Sequence, residues 1–195
     1  MGFSFFLSLM LLISPKDQSS EVLYFDVVRL DQTIGELRVE KTYRDNLFTY
    51  RSYTQVNAHV IKDITVLYEV VVTMKQDFLL SADASVKVNG KIRDHTKTRW
   101  SGGKYHIQSK NEQDKLVSDP IVYPAILLLV KEPINIESSF SEENGDFHVV
   151  SSIGDHSYKK YNEKGRENLY HYQDGQLQRA EIDAGLVQFE IQLRN

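Results

Sequence analysis

The sequence predicts a mainly β protein, an antiparallel sheet curved into an open barrel, and three observations carry that expectation. Apolar and polar residues alternate with period two along much of the chain. Turn-forming pairs recur between the alternating runs. The composition suits strands, with 11 Tyr and 9 Phe against only 4 Pro. Together these give about ten strands, and a sheet of that size curls or splits into two layers. An open barrel is the first expectation and a β-sandwich the alternative.

The N-terminus reads differently. Phe3–Ile13 is FSFFLSLMLLI, uncharged and broken only by two serines. A membrane-spanning helix needs roughly 20 apolar residues, so this run is too short to span. Its length fits the h-region of a secretory signal peptide, with the polar stretch Pro15–Glu21 leading into a mature start. No Lys or Arg precedes the run, and no A-x-A cleavage site follows it. The competing reading is an apolar strand or helix docked on the domain. The expected organisation is a signal peptide over 1–20 and a single antiparallel β domain over 21–195, with no transmembrane segment in the mature chain. The chain has no cysteine, which suits an exported bacterial protein better than a small eukaryotic secreted domain. The expected location is therefore the periplasm or envelope of a Gram-negative bacterium.

Within the domain, Ile64, Val66, Tyr68, Val70, Val72 and Met74 form one apolar face of a long strand. At the C-terminus Val187, Phe189, Ile191 and Leu193 alternate with Gln188, Glu190, Gln192 and Arg194. Turns are expected at Thr33–Gly35, Asp45–Asn46, Asn89–Gly90, Gly102–Gly103, Asn144–Gly145, Lys164–Gly165, Asp174–Gly175 and Ala184–Gly185. One segment breaks the period: Ser118–Pro133 reads SDPIVYPAILLLVKEP. Its prolines suit helix ends and would disrupt a central strand, so a short helix around residues 120–131 is expected, tucked into the concave face of the sheet. A buried central strand is the alternative for AILLLV. No internal repeat or linker is evident.

Chemistry-bearing motifs are scarce. The chain lacks a G-x-S-x-G elbow, a phosphate loop, a G-x-G-x-x-G fingerprint and an HExxH pair. Without cysteine there is no disulfide, thiolate metal site or cysteine nucleophile. His148, His156 and His171 fall in consecutive C-terminal strands and converge only if the registers allow; no metal and no cofactor are expected. Glu142–Glu143 and Asp26–Asp31 read as carboxylates of exposed turns and strands. The net charge of −4 excludes a generally basic nucleic-acid binder. Charge is uneven, however. Residues 87–110 hold seven basic residues against Asp94 alone, together with Trp100 and Tyr105, whereas 132–195 hold twelve acids against six bases. The basic hairpin could hold an anionic partner, or the two charge sets could meet as neighbouring strands.

The order DPIVYPAILLLVKEP (119–133), FSEENGDFHVV (140–150), HSYKKYNEKGRENLYHYQDGQL (156–177) and VQFEIQL (187–193) resembles an uncharacterised exported family, domain of unknown function 6134, found mainly in Bacteroidota. VLYFDVVRLDQTIGELRVEK (22–41) and NGKI (89–92) fit the same pattern. The resemblance implies export, an antiparallel open barrel and an unassigned role. More distantly it is similar to half-barrel periplasmic lipoprotein carriers, whose curved sheet holds acyl chains beneath short helices. No catalytic residue is carried over.

Three functions remain open. A non-enzymatic periplasmic binding protein would take a hydrophobic or amphipathic ligand such as a lipid, with Tyr68, Val70, Trp100, Ile126 and Leu129 as candidate lining residues. A structural or protein-interaction module of the envelope would use the basic hairpin or a sheet edge and have a filled core. A hydrolase or isomerase would need buried ionisable groups in the barrel mouth.

Overall fold

A computed structural model describes residues 19–59, 63–184 and 188–194. The first seven strands are β1 Ser19–Arg29, β2 Gln32–Arg44, β3 Leu47–His59, β4 Asp63–Lys75, β5 Phe78–Val88, β6 Lys91–Ser101 and β7 Lys104–Ser109. The rest are β8 Lys115–Val117, β9 Ser138–Ser141, β10 Asp146–Gly154, β11 Ser157–Tyr161, β12 Glu167–Gln173, β13 Gln176–Asp183 and β14 Gln188–Leu193. All belong to one antiparallel sheet in the order β8-β7-β6-β5-β4-β3-β2-β1-β14-β13-β12-β11-β10-β9. Every chain-adjacent pair within each half is a hairpin, and β1 joins the halves by pairing with β14, Phe25 opposite Leu193 and Val27 opposite Ile191. One sheet, not two, is present, so the sandwich alternative is set aside.

A sheet of fourteen strands cannot stay flat, because strand twist accumulates. It rolls up until its two ends overlap. The β9–β10 turn sits against the inner face of β6 and β7: the Thr96 hydroxyl donates to the Glu143 carbonyl at 2.7 Å, and the Lys115 ammonium meets Asp146 at 2.8 Å. Small inner-face residues make room for that turn, among them Ala82, Ala84, Thr96 and Thr98, all buried. Gly145, at φ +65°, lies so close to Ile107 that a Cβ there would stand 2.6 Å from its Cγ2. The part of β6 that outruns β7 is covered as well, by Lys110 N–H on the His95 carbonyl and the Asn111 amide on the Arg93 carbonyl. Covered edges resist pairing with other chains.

The expected ten strands are an undercount. Asp45–Asn46, Asn89–Gly90, Gly102–Gly103 and Asp174–Gly175 do form tight turns with positive φ. Additional hairpins turn at Leu30–Asp31 and Gln76–Asp77, where no glycine marks the reversal, and at Asp155–His156, just after Gly154 at φ +107°. The turn expected at Thr33–Gly35 falls inside β2 instead. Gly35 is needed there for a different reason: a Cβ would land on the Gln55 carbonyl oxygen of β3. The expected signal peptide and the Gly185 and Val187 positions lie outside the described residues, apart from Ser19 and Ser20, which pair with Tyr43 and Thr42.

The expected helix around 120–131 is also corrected, since the only helical element among the described residues is a 3-10 turn, Ala125–Leu129. Before it the chain is extended, because its carbonyls serve the sheet: Ile121 O accepts from Leu79 N–H and Tyr123 O from Phe140 N–H. Pro124, at ψ 148°, bridges Phe140 and cannot start an α-helix. Residues 118–137 thus form a plug across one end of the roll. Ile121, Tyr123, Ile126, Leu127 and Leu128 are buried in the same core as Phe25, Val72, Leu79, Tyr105 and Leu177.

Candidate functional site

Buried tyrosines hold the plug from the walls. Tyr172 donates its hydroxyl to the Leu128 carbonyl at 2.7 Å, and Tyr105 donates to the Leu79 carbonyl at 2.9 Å beside Ile121. Glu132, itself buried, accepts the Tyr158 hydroxyl at 2.8 Å and faces His156 Nδ1 at 2.9 Å on the same oxygen. Each bond satisfies a polar group that the apolar core would otherwise leave unpaired.

Away from the plug, the inner face opens. Along β4, Val70, Val72 and Met74 are buried, while Val66 and Tyr68 on the same face are partly exposed. The same gradient runs along β12, from buried Tyr172 and Tyr170 to half-buried Asn168, and along β14, from Ile191 to Phe189. The inner face of the roll is therefore filled at the plugged end and partly accessible at the other. Its wall is apolar over β3–β5 and β13–β14, where Val56, Val66, Val86, Ile182 and Phe189 face inward. These strand positions follow from alternation and from the registers Tyr68↔Val86 and Ile182↔Phe189.

The opposite wall is polar. Asp94 shares the inner face of β6 with Thr96, and Lys160 shares that of β11 with Tyr158, lying opposite Val150 and Asn168. The β9–β10 turn adds Glu142 and Glu143 between them. Glu142 is buried and accepts the Ile126 N–H of the plug at 2.8 Å. Burial pushes its carboxyl up to about 7 against the opposing pull of the Ile126 N–H, its own N–H and Lys160. Glu143 is exposed, yet surrounding protein, then Asp94, raises its carboxyl, while Lys160 and Arg166 pull the other way. The Tyr68 hydroxyl is held well above its usual range, first by burial and then by the Glu143 and Glu142 carboxylates. His148, buried on β10, drops to about 4 because burial and then Lys160 disfavour its charged form.

The five lining residues expected from the sequence are not brought together. Tyr68 stands in the open half, whereas Val70 is core. Trp100 lies near the plugged end, against Phe78 at 4.9 Å and Tyr105 at 4.8 Å. Ile126 is buried within the plug and Leu129 is half-buried there. The histidines do not converge: His148 faces inward, while His171 bonds Ser157 and His156 reaches Glu132. No group of three metal-ligating side chains occurs among the described residues. The basic residues of 87–110 are not sheet neighbours of the acidic half; Lys87 meets Glu69 at 3.1 Å and His95 meets Asp83 at 2.9 Å.

Glu142, expected from the sequence to be a carboxylate of an exposed turn, is buried. No local signal marks it, because the plug that covers it comes from another part of the chain. Lys160 was legible: in Ser157–Tyr161, SYKKY, alternation obliges one of the two lysines to share a face with Tyr158. A shallow depression of about 280 Å³ on the outer face, lined by Arg38, Arg51, Tyr53, Glu69 and Asp83, is a weaker candidate. Its charges are mostly spent on neighbours, Arg38 on Glu40 along β2 at 2.9 Å and Glu69 on Lys87 across strands at 3.1 Å. No helix among the described residues is long and apolar enough to cross a membrane.

Residues 25–194 match the family described as domain of unknown function DUF6134. No curated protein matches. Among solved structures, the chain is similar to a "beta-barrel-like protein of domain of unknown function DUF1849" from Brucella abortus, at 10% identity and a TM-score of 0.55. The likeness covers 92% of this chain and 96% of that one, and it extends to the fold alone.

Proposed function

We propose, for a chain that belongs to the DUF6134 family, that the open half of the roll binds a hydrophobic or amphipathic ligand without catalysing its conversion. One observation carries the reading: a single inner face passes from a filled core to an accessible cup whose apolar wall stands across from a polar one. Sites for amphiphiles combine a mostly apolar surface with a few placed polar groups. The uncharged run Phe3–Ile13 supports export, and we extend the proposal to a role in the envelope of a Gram-negative bacterium. The test is titration with the neutral fluorophore N-phenyl-1-naphthylamine, comparing the wild type with Val66→Trp, which fills the cup. Saturable enhancement in the wild type and its loss in a folded variant are expected. Equal responses, or none in either protein, would overturn the reading.

A second reading, a protein-interaction module, has its own observation. Phe147, Val149 and Ile153 line the outer face of β10 at 42%, 44% and 50% exposure. If this stripe were the working surface, Val149→Asp would abolish envelope cross-links and leave fluorophore binding intact.

A further inference from the structure

We infer that Lys160 anchors the anionic head of the ligand, so that the cup takes an acyl chain ending in a carboxylate or phosphate. The inference rests on the cup being a ligand site, as proposed above, and adds the chemistry of its polar end.

Lys160 stands apart from strand lysines that are engaged by carboxylates or, like Lys75, Lys91 and Lys97, exposed to solvent. Its neighbour Lys159, on the outer face of the same strand, holds Glu167 at 3.1 Å. Lys87 holds Glu69, and Lys115 holds both Glu112 and Asp146. Lys160 is half-buried on the inner face, and no described residue forms a hydrogen bond or ion pair with its ammonium. Its three N–H donors therefore have no acceptor among the described residues.

The acids around it do not fill that role. Glu142 spends Oε1 on the Ile126 N–H, and Asp94 Oδ1 accepts the His95 N–H at 2.7 Å. Burial raises the Glu142 carboxyl to about 7 and raises that of Glu143 as well, while Lys160 pulls both the other way. Arg166, which also acts on Glu143, adds a second positive charge; its backbone is fixed by an N–H on Asn162 Oδ1 at 3.1 Å. His148, kept neutral, does not compete for an anion but does not repel it either.

The apolar wall is placed to receive a chain. Val66 and Lys160 lie on strands seven steps apart in a sheet of fourteen, so they face each other across the roll. A head bound at Lys160 directs its chain towards Val66, Ile182 and Phe189. A charge-assisted hydrogen bond in a partly desolvated site contributes about tenfold or more in affinity.

The experiment is calorimetric titration of the delipidated full chain with four twelve-carbon amphiphiles below their micelle concentrations. These are dodecanoate, dodecyl phosphate, dodecanol and dodecylammonium. Both anions are expected to bind about tenfold or more tighter than the alcohol and the amine. Lys160→Met is expected to reduce the anions to the level of dodecanol, and Lys160→Arg to restore the preference. Whichever anion binds tighter identifies the source as a free fatty acid or a phosphorylated lipid. Equal affinities for all heads, unchanged in Lys160→Met, would overturn the anchor and leave the cup standing. Failure of every amphiphile, dodecanol included, would overturn the cup itself and the anchor with it.

Discussion

Replacing Glu142 by Gln is expected to stabilise the protein in alkaline buffer and to leave it nearly unchanged in mild acid. The buried carboxyl titrates at about 7 in the folded chain and near its ordinary 4.5 once unfolded. Between those values the folded state holds a proton that the unfolded state has lost, so stability falls as pH rises from 4.5 through 7 and levels off above. At ~1.4 kcal/mol for each tenfold change in proton affinity, the loss is about 3 kcal/mol. Gln keeps the Oε1 acceptor for the Ile126 N–H, 2.8 Å away, and has nothing to ionise. The fully buried site gives this figure little screening by solvent. His148 pulls the other way: with its folded value lowered to about 4, its contribution is complete above 6.5 and lost as pH falls. That term is common to both proteins and cancels in their difference. Urea unfolding followed by the single tryptophan, Trp100, measures the difference at pH 5 and pH 8.5. A gap below about 1 kcal/mol at pH 5 that grows to about 3 at pH 8.5 is expected. A gap independent of pH would refute the placement of a desolvated carboxyl under the plug.

Three further substitutions probe the plug and the roll. Tyr172→Phe strands the buried Leu128 carbonyl and is expected to cost about 1–3 kcal/mol in the same unfolding assay. Leu128→Ala empties a fully buried position and is expected to cost about 2–5 kcal/mol, with a smaller loss if the plug collapses into the space. Gly35→Ala drives a methyl into the Gln55 carbonyl and towards Val56 Cα at 2.9 Å, so β2 and β3 must separate. It is expected to cost at least about 1–3 kcal/mol, read as a lowered melting temperature, whereas Gly90→Ala meets no atom within 4 Å and pays only backbone strain.

Much of the sheet was legible because alternation is local. The expected strand at 64–74 is β4, and the C-terminal alternation is β14. The missed hairpins turn on Leu30–Asp31, Gln76–Asp77 and Asp155–His156, where Leu30, Asp31, Gln76, Asp155 and His156 are held in positive φ by the strands on either side. The plug's apolar character was legible in AILLLV, but its backbone was not. The carbonyls that would have continued a helix are claimed by Leu79 and Phe140, residues about 40 and 20 positions away in sequence. The polar wall divides the same way. Lys160 and Asp94 follow from strand parity, whereas the burial of Glu142 depends on a plug that only tertiary structure brings over it.

Native mass spectrometry of the protein purified from its own cells without detergent tests most directly whether the cup carries a ligand. A mass above that of the polypeptide, released as an acyl-chain compound by organic extraction and absent from Val66→Trp, is the predicted result. A bare mass in both proteins, from cells rich in lipid, would contradict it.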